Sequence, residues 1–274
     1  MKNIFGTDGI RDKVHHGALT TENLAQLGHA IGQWATNNFE KPVRILMGSD
    51  TRSSCPSILQ TLSKSLLQYP VELFNGHVIP TPVVCKLVRE EDFDLGIIIS
   101  ASHNSAEYNG IKIVKKYAKI SAFSEGAITQ LYHHEKFINH IPIHAVQEYD
   151  QASQLYEIFI TAWFEPNFLQ NKKIVLDCAQ GATYKLAPKI FEHFNANVIV
   201  INNLAWLFGS RTGSGYTISR YNWSNYSNGT KSNYGTDFCI GRWCCHSDRS
   251  LWWTKFKVTS TTNDFCTSTS TNSK

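Results

Sequence analysis

Short apolar runs of strand length alternate with stretches of helical spacing along residues 1–203, and that order admits few folds. The clearest run is Leu95-Gly96-Ile97-Ile98-Ile99, continuous and apolar as strands buried on both faces are. Val43–Met47 and Val71–Phe74 are two more strand candidates. Between them, Leu24, Leu27, Ile31 and Trp34 recur at helical spacing behind Thr20 or Thr21 as an N-cap, and residues 56–68 gather Ile58, Leu59, Leu62 and Leu66 on one face. The pattern predicts an α/β protein with a mixed, mostly parallel sheet and flanking helices.

A second unit begins near residue 150, after the His/Pro-containing stretch His140-Ile141-Pro142-Ile143-His144. A helix over 150–163, a strand at Lys173–Asp177, a helix over 182–194 and a strand at Asn197–Ile201 make one βαβ crossover, a partial second α/β domain. The expected division is 1–145, 150–203 and a tail from 204 to 274.

The tail differs in kind. Of its residues 23 are Ser or Thr and none is Glu, while it holds five of the seven Trp and four of the seven Cys. Residues 1–203 carry 18 Lys+Arg against 19 Asp+Glu, a balance of −1; residues 204–274 carry 8 against 3, a balance of +5, and together these give the +4 of the chain. No helical or strand period persists in the tail, and disordered tails are poor in aromatics. The tail therefore reads as translated out of its ancestral frame. Its basic residues are scattered, not clustered, so no nucleic-acid partner is expected.

No apolar run approaches the roughly 18 residues a membrane helix needs, so no membrane partner is expected. Met1–Gly6 has no long apolar core of a secretory signal. The seven cysteines lack zinc-type spacing, Cys244-Cys245 being a neighbouring pair. Reduced thiols and a cytoplasmic setting follow as the expectation. Oligomeric state is not legible.

Three polar motifs carry chemistry. Ser100-Ala101-Ser102-His103-Asn104 follows the apolar strand 95–99 and precedes Asn109-Gly110-Ile111-Lys112. In open α/β sheets ligands sit at the carboxyl ends of strands, and a serine there needs a nearby base or metal to react. His103 and Lys112 are the nearest candidates; the alternative is a Ser/Asn turn that caps a helix. Phe5-Gly6-Thr7-Asp8-Gly9-Ile10-Arg11 offers two glycines for close backbone approach and an arginine fork for phosphate, or else a turn with a solvent-facing arginine. Gly48-Ser49-Asp50-Thr51-Arg52-Ser53-Ser54 suits anion binding, or is a polar loop in which Asp50, Ser53 or Ser54 caps.

In this order, FGTDGIR, G-x-D-T-R and SASHN followed by NGIK resemble the first-domain signatures of the α-D-phosphohexomutase superfamily. Asp177-Cys178-Ala179-Gln180-Gly181-Ala182 resembles the opening of its second domain, and the whole is most similar to the bacterial branch acting on glucosamine phosphates. The resemblance spans residues 1–203. Asp12 stands where that family has glycine, Ser105 where it has proline and Gln180 where it has asparagine.

The resemblance implies an intramolecular phosphotransferase that interconverts glucosamine 6-phosphate and glucosamine 1-phosphate through a phosphoserine and a bisphosphorylated sugar. It implies catalytic roles for Ser102, His103, Arg11 and Lys112, and substrate or phosphate contacts for Thr7, Asp8, Ser100, Asn104 and Asn109. It implies Mg²⁺ held partly by phosphorylated Ser102, and a bisphosphorylated hexosamine as activator. The family's D-G-D-x-D-R metal loop is absent from the sequence, and Asp237 and Asp248 do not reproduce it. The chain as written is therefore expected to be inactive. The alternatives are a phosphomannomutase or phosphoglucomutase, or a non-enzymatic remnant of a frameshifted mutase gene.

Overall fold

The structure, a computed structural model, describes residues 3–116, 118–134 and 145–204. Residues 205–274, most of the expected tail, lie outside the described residues, as do 135–144.

Nine strands and six helices follow one another among the described residues: β1 (Ile10–Lys13), α1 (Thr21–Asn38), β2 (Val43–Ser49), α2 (Cys55–Leu66), β3 (Val71–Val78), α3 (Thr81–Glu90), β4 (Leu95–Ile99), β5 (Tyr108–Lys115), β6 (Ala118–Lys119), α4 (Ala122–His134), β7 (Gln147–Glu148), α5 (Ala152–Thr161), β8 (Lys173–Asp177), α6 (Leu186–His193) and β9 (Asn197–Ile201). Thr20 caps α1 by accepting from Asn23 N at 3.2 Å, which settles the choice between the two threonines.

The first sheet runs β1-β5-β4-β2-β3-β7, with β6 beside β5. β4, β2, β3 and β7 are parallel; β5 turns back antiparallel to β4, and β1 antiparallel to β5. The sheet is thus mixed, as expected, and its antiparallel part is made by the two segments that read only as motifs, GIRD and NGIK. β8 and β9 form a separate parallel pair joined by α6, the expected crossover.

Strand periodicity sorts the core into two layers. Ile45, Met47, Ile97, Ile99, Ile111 and Ile113 face one side, against Leu24, Leu27 and Ile31 of α1, Ile58 and Leu62 of α2, and Ile128 of α4. Leu46, Ile98 and Val114 face the other, against Val84 and Leu87 of α3, Tyr156 of α5, and Leu186 and Ile190 of α6. β4 is buried along its whole length for this reason. The other face of α6, with Ala187 and Phe191, covers Ile174 and Leu176 of β8. The result is a helix–sheet–helix sandwich that presents the carboxyl ends of β2 and β4, residues 49–54 and 100–105, at one rim.

Boundaries differ locally from expectation. β3 continues to Val78 instead of ending at Phe74, because its pairing with β2 resumes after a bulge between Met47 and Ser49, with Val78 opposite Ser49. α6 begins at Leu186, not 182, because Ala179 (φ 46°) and Gln180 (φ 53°) turn the chain left-handed first. α3 and α4 have no counterpart in the sequence reading. The β-branched residues of Thr-Pro-Val-Val-Cys mask the first, and Gly126 interrupts the second. Among the described residues, no helix is long and apolar enough to cross a membrane, and Cys55, Cys85 and Cys178 are free thiols.

Candidate functional site

The polar rim is built from four chain segments. β4 ends at Ile99, and Ser100 N is held by Gly110 O of β5 at 2.9 Å. The chain then turns sharply. Ser102 takes a left-handed backbone (φ 58°), a conformation a side chain rarely adopts unless its surroundings impose it. Its residue is exposed, and its Oγ lies 3.5 Å from Nδ1 of the exposed His103.

Asp50 and Arg52, in the loop between β2 and α2, lie beneath this turn. Ser102 N donates to Ser100 Oγ at 3.0 Å, and that hydroxyl donates to Asp50 Oδ2 at 2.7 Å. Asp50 Oδ2 also accepts from Arg52 Nε at 3.0 Å. Arg52 Nη2 donates to Ser102 O at 3.1 Å and Asn104 O at 2.8 Å, and Nη1 to Ser105 O at 2.7 Å and Tyr108 O at 3.0 Å. The guanidinium is only 7% exposed, and each of its five N–H donors has a protein acceptor. The anion-binding reading of G-x-D-T-R is thereby corrected: Arg52 has no donor left for a phosphate. Nor do Asp50 or Ser54 act as side-chain caps of α2.

Asn109 faces inward. It is fully buried, donating to Ser54 Oγ at 2.8 Å and to Cys55 Sγ at 3.4 Å, while its Oδ1 accepts from Gly110 N at 2.8 Å. Cys55 Sγ in turn sits 3.2 Å from Asp50 Oδ1. Burial, with the Asp50 charge beside it, pushes the Cys55 thiol far above its usual range, which disfavours the thiolate.

The third segment is the FGTDGIR turn. Gly6 N bonds Gly9 O at 2.9 Å, which closes a tight loop with Thr7 and Asp8 at its tip. Gly9 has φ 83°, and a Cβ there would stand 2.5 Å from Ile111 O, so only glycine fits. β1 then carries Arg11 opposite Gly110 of β5.

Asp8, Arg11 and Lys112 meet. Asp8 Oδ2 pairs with Arg11 Nη2 at 2.7 Å and with Lys112 Nζ at 2.6 Å. Burial alone would raise the Asp8 pKa, yet the hydrogen bonds and charges of Lys112 and Arg11 hold it below its ordinary value. Arg11 Nη1 reaches Asn104 Oδ1 at 3.3 Å, which joins this cationic pair to the Ser102 loop. Thr7 is exposed at the turn, and its carbonyl accepts from Lys119 Nζ at 3.1 Å.

The fourth segment comes from beyond β8. Thr51 Oγ1 donates to Gln180 O, and Gln180 N donates to Asn202 O at 2.8 Å. The Cys-Ala-Gln-Gly turn therefore docks on the loop that holds Arg52.

The residues singled out from sequence thus fall into four settings. Ser102 and His103 stand exposed at the rim. Arg11, Lys112, Asp8 and Asn104 are linked beside them. Ser100 and Asn109 are engaged within the loop framework, and Thr7 lies at the turn tip. Sequence reasoning missed the framework itself; its one signal was an Asp-x-Arg directly after a buried strand.

Mg²⁺ does not fit the described residues. Among them, no group of three or more His, Cys, Asp or Glu side chains is placed to hold a metal ion. The carboxylates at the rim are already engaged, Asp50 by Arg52 and Ser100, Asp8 by Arg11 and Lys112. Asp237 and Asp248 lie outside the described residues.

Residues 2–139 match the family model described as phosphoglucomutase/phosphomannomutase, alpha/beta/alpha domain I. The phosphoglucosamine mutase of Caldicellulosiruptor bescii is 36% identical over 208 residues, covering 74% of this chain and 46% of that protein. The phosphoglucosamine mutase of Clostridium acetobutylicum is 37% identical over 210 residues, with the same two coverages of 74% and 46%. The chain thus spans a little under half the length of these curated relatives. A solved phosphoglucomutase/phosphomannomutase family protein of Burkholderia thailandensis shares the fold, with a TM-score of 0.65 and 20% identity over 76% of this chain and 46% of that one.

Proposed function

Since this chain belongs to the phosphoglucomutase/phosphomannomutase family, we propose that it carries the phosphoryl-accepting half of a phosphohexomutase, with Ser102 as the carrier and glucosamine phosphates as the substrate. The observation that supports this most is the exposed, left-handed Ser102 beside a linked Arg11–Asp8–Lys112 group.

Phosphoryl transfer needs little covalent help from the protein; positioning and charge neutralisation do most of the work. In the forward direction the C1 hydroxyl oxygen of glucosamine 6-phosphate bonds the phosphorus on Ser102. The Oγ–P bond breaks, and the hydroxyl proton leaves to a base. The bisphosphorylated sugar turns over, Ser102 Oγ takes the phosphoryl group from C6, and that C6 oxygen gains a proton. Glucosamine 1-phosphate departs. A bisphosphorylated hexosamine would load the serine initially. His103 is the base or positions the serine, its ring being within reach of Oγ.

Arg11 and Lys112 supply positive charge to phosphoryl oxygens. Asp8 is an anion and has no donor for phosphate, so its part is to hold those two cations in place. Asn104 bridges Arg11 to the serine loop, and Thr7 presents a hydroxyl at the turn. Ser100 and Asn109 serve by fixing the loop. No step here uses a metal. A cytoplasmic setting and a small-molecule phosphosugar as substrate go with this reading.

The test is turnover of glucosamine 6-phosphate by the purified chain in the presence of a hexose bisphosphate. Product formation that disappears in Ser102→Ala supports the proposal. Equal or greater turnover of mannose or glucose 6-phosphate would favour the second reading, which the name of the matched family model keeps open. No turnover and no binding of any hexose phosphate would mark a remnant.

A further inference from the structure

We propose that Asp50 and Arg52 form a positioning pair that holds the backbone of Ser102 in its left-handed turn from both sides, so that the serine stays aimed outward whether or not it carries a phosphoryl group. The inference rests on Ser102 being the phosphoryl carrier. It assigns work to two side chains that touch neither the sugar nor the phosphate.

The geometry is a closed ring. From Ser102 N the hydrogen bonds pass to Ser100 Oγ (3.0 Å), to Asp50 Oδ2 (2.7 Å) and to Arg52 Nε (3.0 Å), and they return from Arg52 Nη2 to Ser102 O (3.1 Å). Both backbone groups of a residue at φ 58° are thereby fixed by one ion pair. The pair is 7% and 14% exposed, so its charges are shielded from water and from screening by salt. A guanidinium buried this deeply is tolerated only when its donors are all satisfied, and here all five are. Four of them end on carbonyls between Ser102 and Tyr108, so that one side chain ties the turn together at four points.

The chemical need is plain. A phosphoserine carries nearly two negative charges and three acceptor oxygens, and an unanchored turn would collapse toward the nearest cations. Transfer requires near-attack placement, and small displacements are costly. An arginine whose donors were free would bind the phosphate itself and pull the serine inward. Arg52 is spent on carbonyls, so it stiffens the turn without competing for the phosphoryl group. A lysine has three donors in no fixed fork and cannot reproduce the arrangement.

The experiment uses the full chain and the variants Arg52→Lys and Asp50→Asn. Hydrogen exchange is followed at the amides of residues 101–106, together with thermal melting. Separately, the rate of phosphoryl uptake on Ser102 from glucose 1,6-bisphosphate is measured by mass spectrometry. For folded Arg52→Lys, loop amides are expected to exchange faster by about tenfold or more, as fits the loss of one or two good hydrogen bonds. Uptake is expected to slow by about as much, at a nearly unchanged half-saturating concentration, because alignment is lost and not affinity. If Arg52→Lys fails to fold, Ser100→Ala opens the same ring without stranding a charge and is expected to show the same loop-confined exchange. Unchanged exchange and uptake in a folded variant overturn the inference. If the wild-type chain takes up no phosphoryl group at all, the mutase reading falls, and the exchange data alone decide whether the ring anchors the turn.

Discussion

Arg11 and Arg52 sit in similar short polar motifs and use their donors differently. Arg52 spends all five on the protein, whereas Arg11 uses Nη2 on Asp8 and Nη1 on Asn104, and its Nε has no hydrogen-bond partner. That difference decides which of them can meet a phosphate, and it depends on tertiary contacts across 50 residues or more that no local motif encodes. The same holds for Asn109, whose inward orientation is fixed by Ser54 and Cys55. Ser102 and His103 follow directly on the end of an apolar strand, a placement that periodicity shows, whereas Arg11 and Lys112 lie inside β1 and β5 and were singled out by their motifs alone. The three departures from the family pattern are accommodated locally. Asp12 accepts from Ala18 N at 3.0 Å and Lys13 N at 2.8 Å, bonds a glycine could not make. Ser105 contributes a carbonyl oxygen to Arg52, which proline also has. Gln180 uses its main chain toward Thr51 and Asn202.

Two predictions belong at this scale. Lys112→Met should reduce phosphoryl transfer by about 100-fold or more, as loss of one charge-stabilising group does, measured as kcat with Ser102 loading monitored in parallel. The Asp8 carboxyl is held below its ordinary value of 3.8, so its ion pairs stabilise the fold fully above that pH and are lost as pH falls below it. Acid titration of stability should accordingly be shallower in Asp8→Asn than in wild type over that range, and indistinguishable slopes would show that the pairs contribute nothing. Asp8 is half exposed, and solvent screening keeps the difference small.

At the scale of elements, strands buried on both faces and helices with a single apolar stripe were readable, and β4, β8 and β9 have the bounds expected from the sequence. The reversal at β5 was not, because antiparallel pairing with β1 and β4 turns on close approach at Gly110, where a Cβ would stand 2.6 Å from Ile10 O. Gly9→Ala should destabilise the chain by about 1–3 kcal/mol through forced positive φ and contact with Ile111 O, read from denaturant unfolding. Thr20→Ala should cost about 1 kcal/mol through loss of the α1 cap. A Gly9→Ala chain as stable as wild type would mean that the turn is not held where β5 places it.

For the whole molecule, the apolar layer shared by α3, α5 and α6 ties the second strand pair's helix to the first sheet. Phe194, 2% exposed within that layer and edge-on to Phe164 and Phe168, should cost about 3–5 kcal/mol on change to alanine. Calorimetry should show loss of the whole transition's stability, not of a late shoulder. Long-range order of this kind is not written in periodicity, since each helix looks the same whichever face of the sheet it covers. For residues 204–274, sequencing the gene checks the frame expectation: a one-base shift near codon 204 should open a D-G-D-x-D-R segment, and a gene without one in any frame would refute it.

The claim on which the rest depends is that Ser102 accepts a phosphoryl group. Intact mass and phosphopeptide mapping of the full chain after incubation with glucose 1,6-bisphosphate test it directly. One added phosphoryl group, located on Ser102 and missing in Ser102→Ala, is the predicted result; an unmodified chain, or a label on another residue, contradicts it.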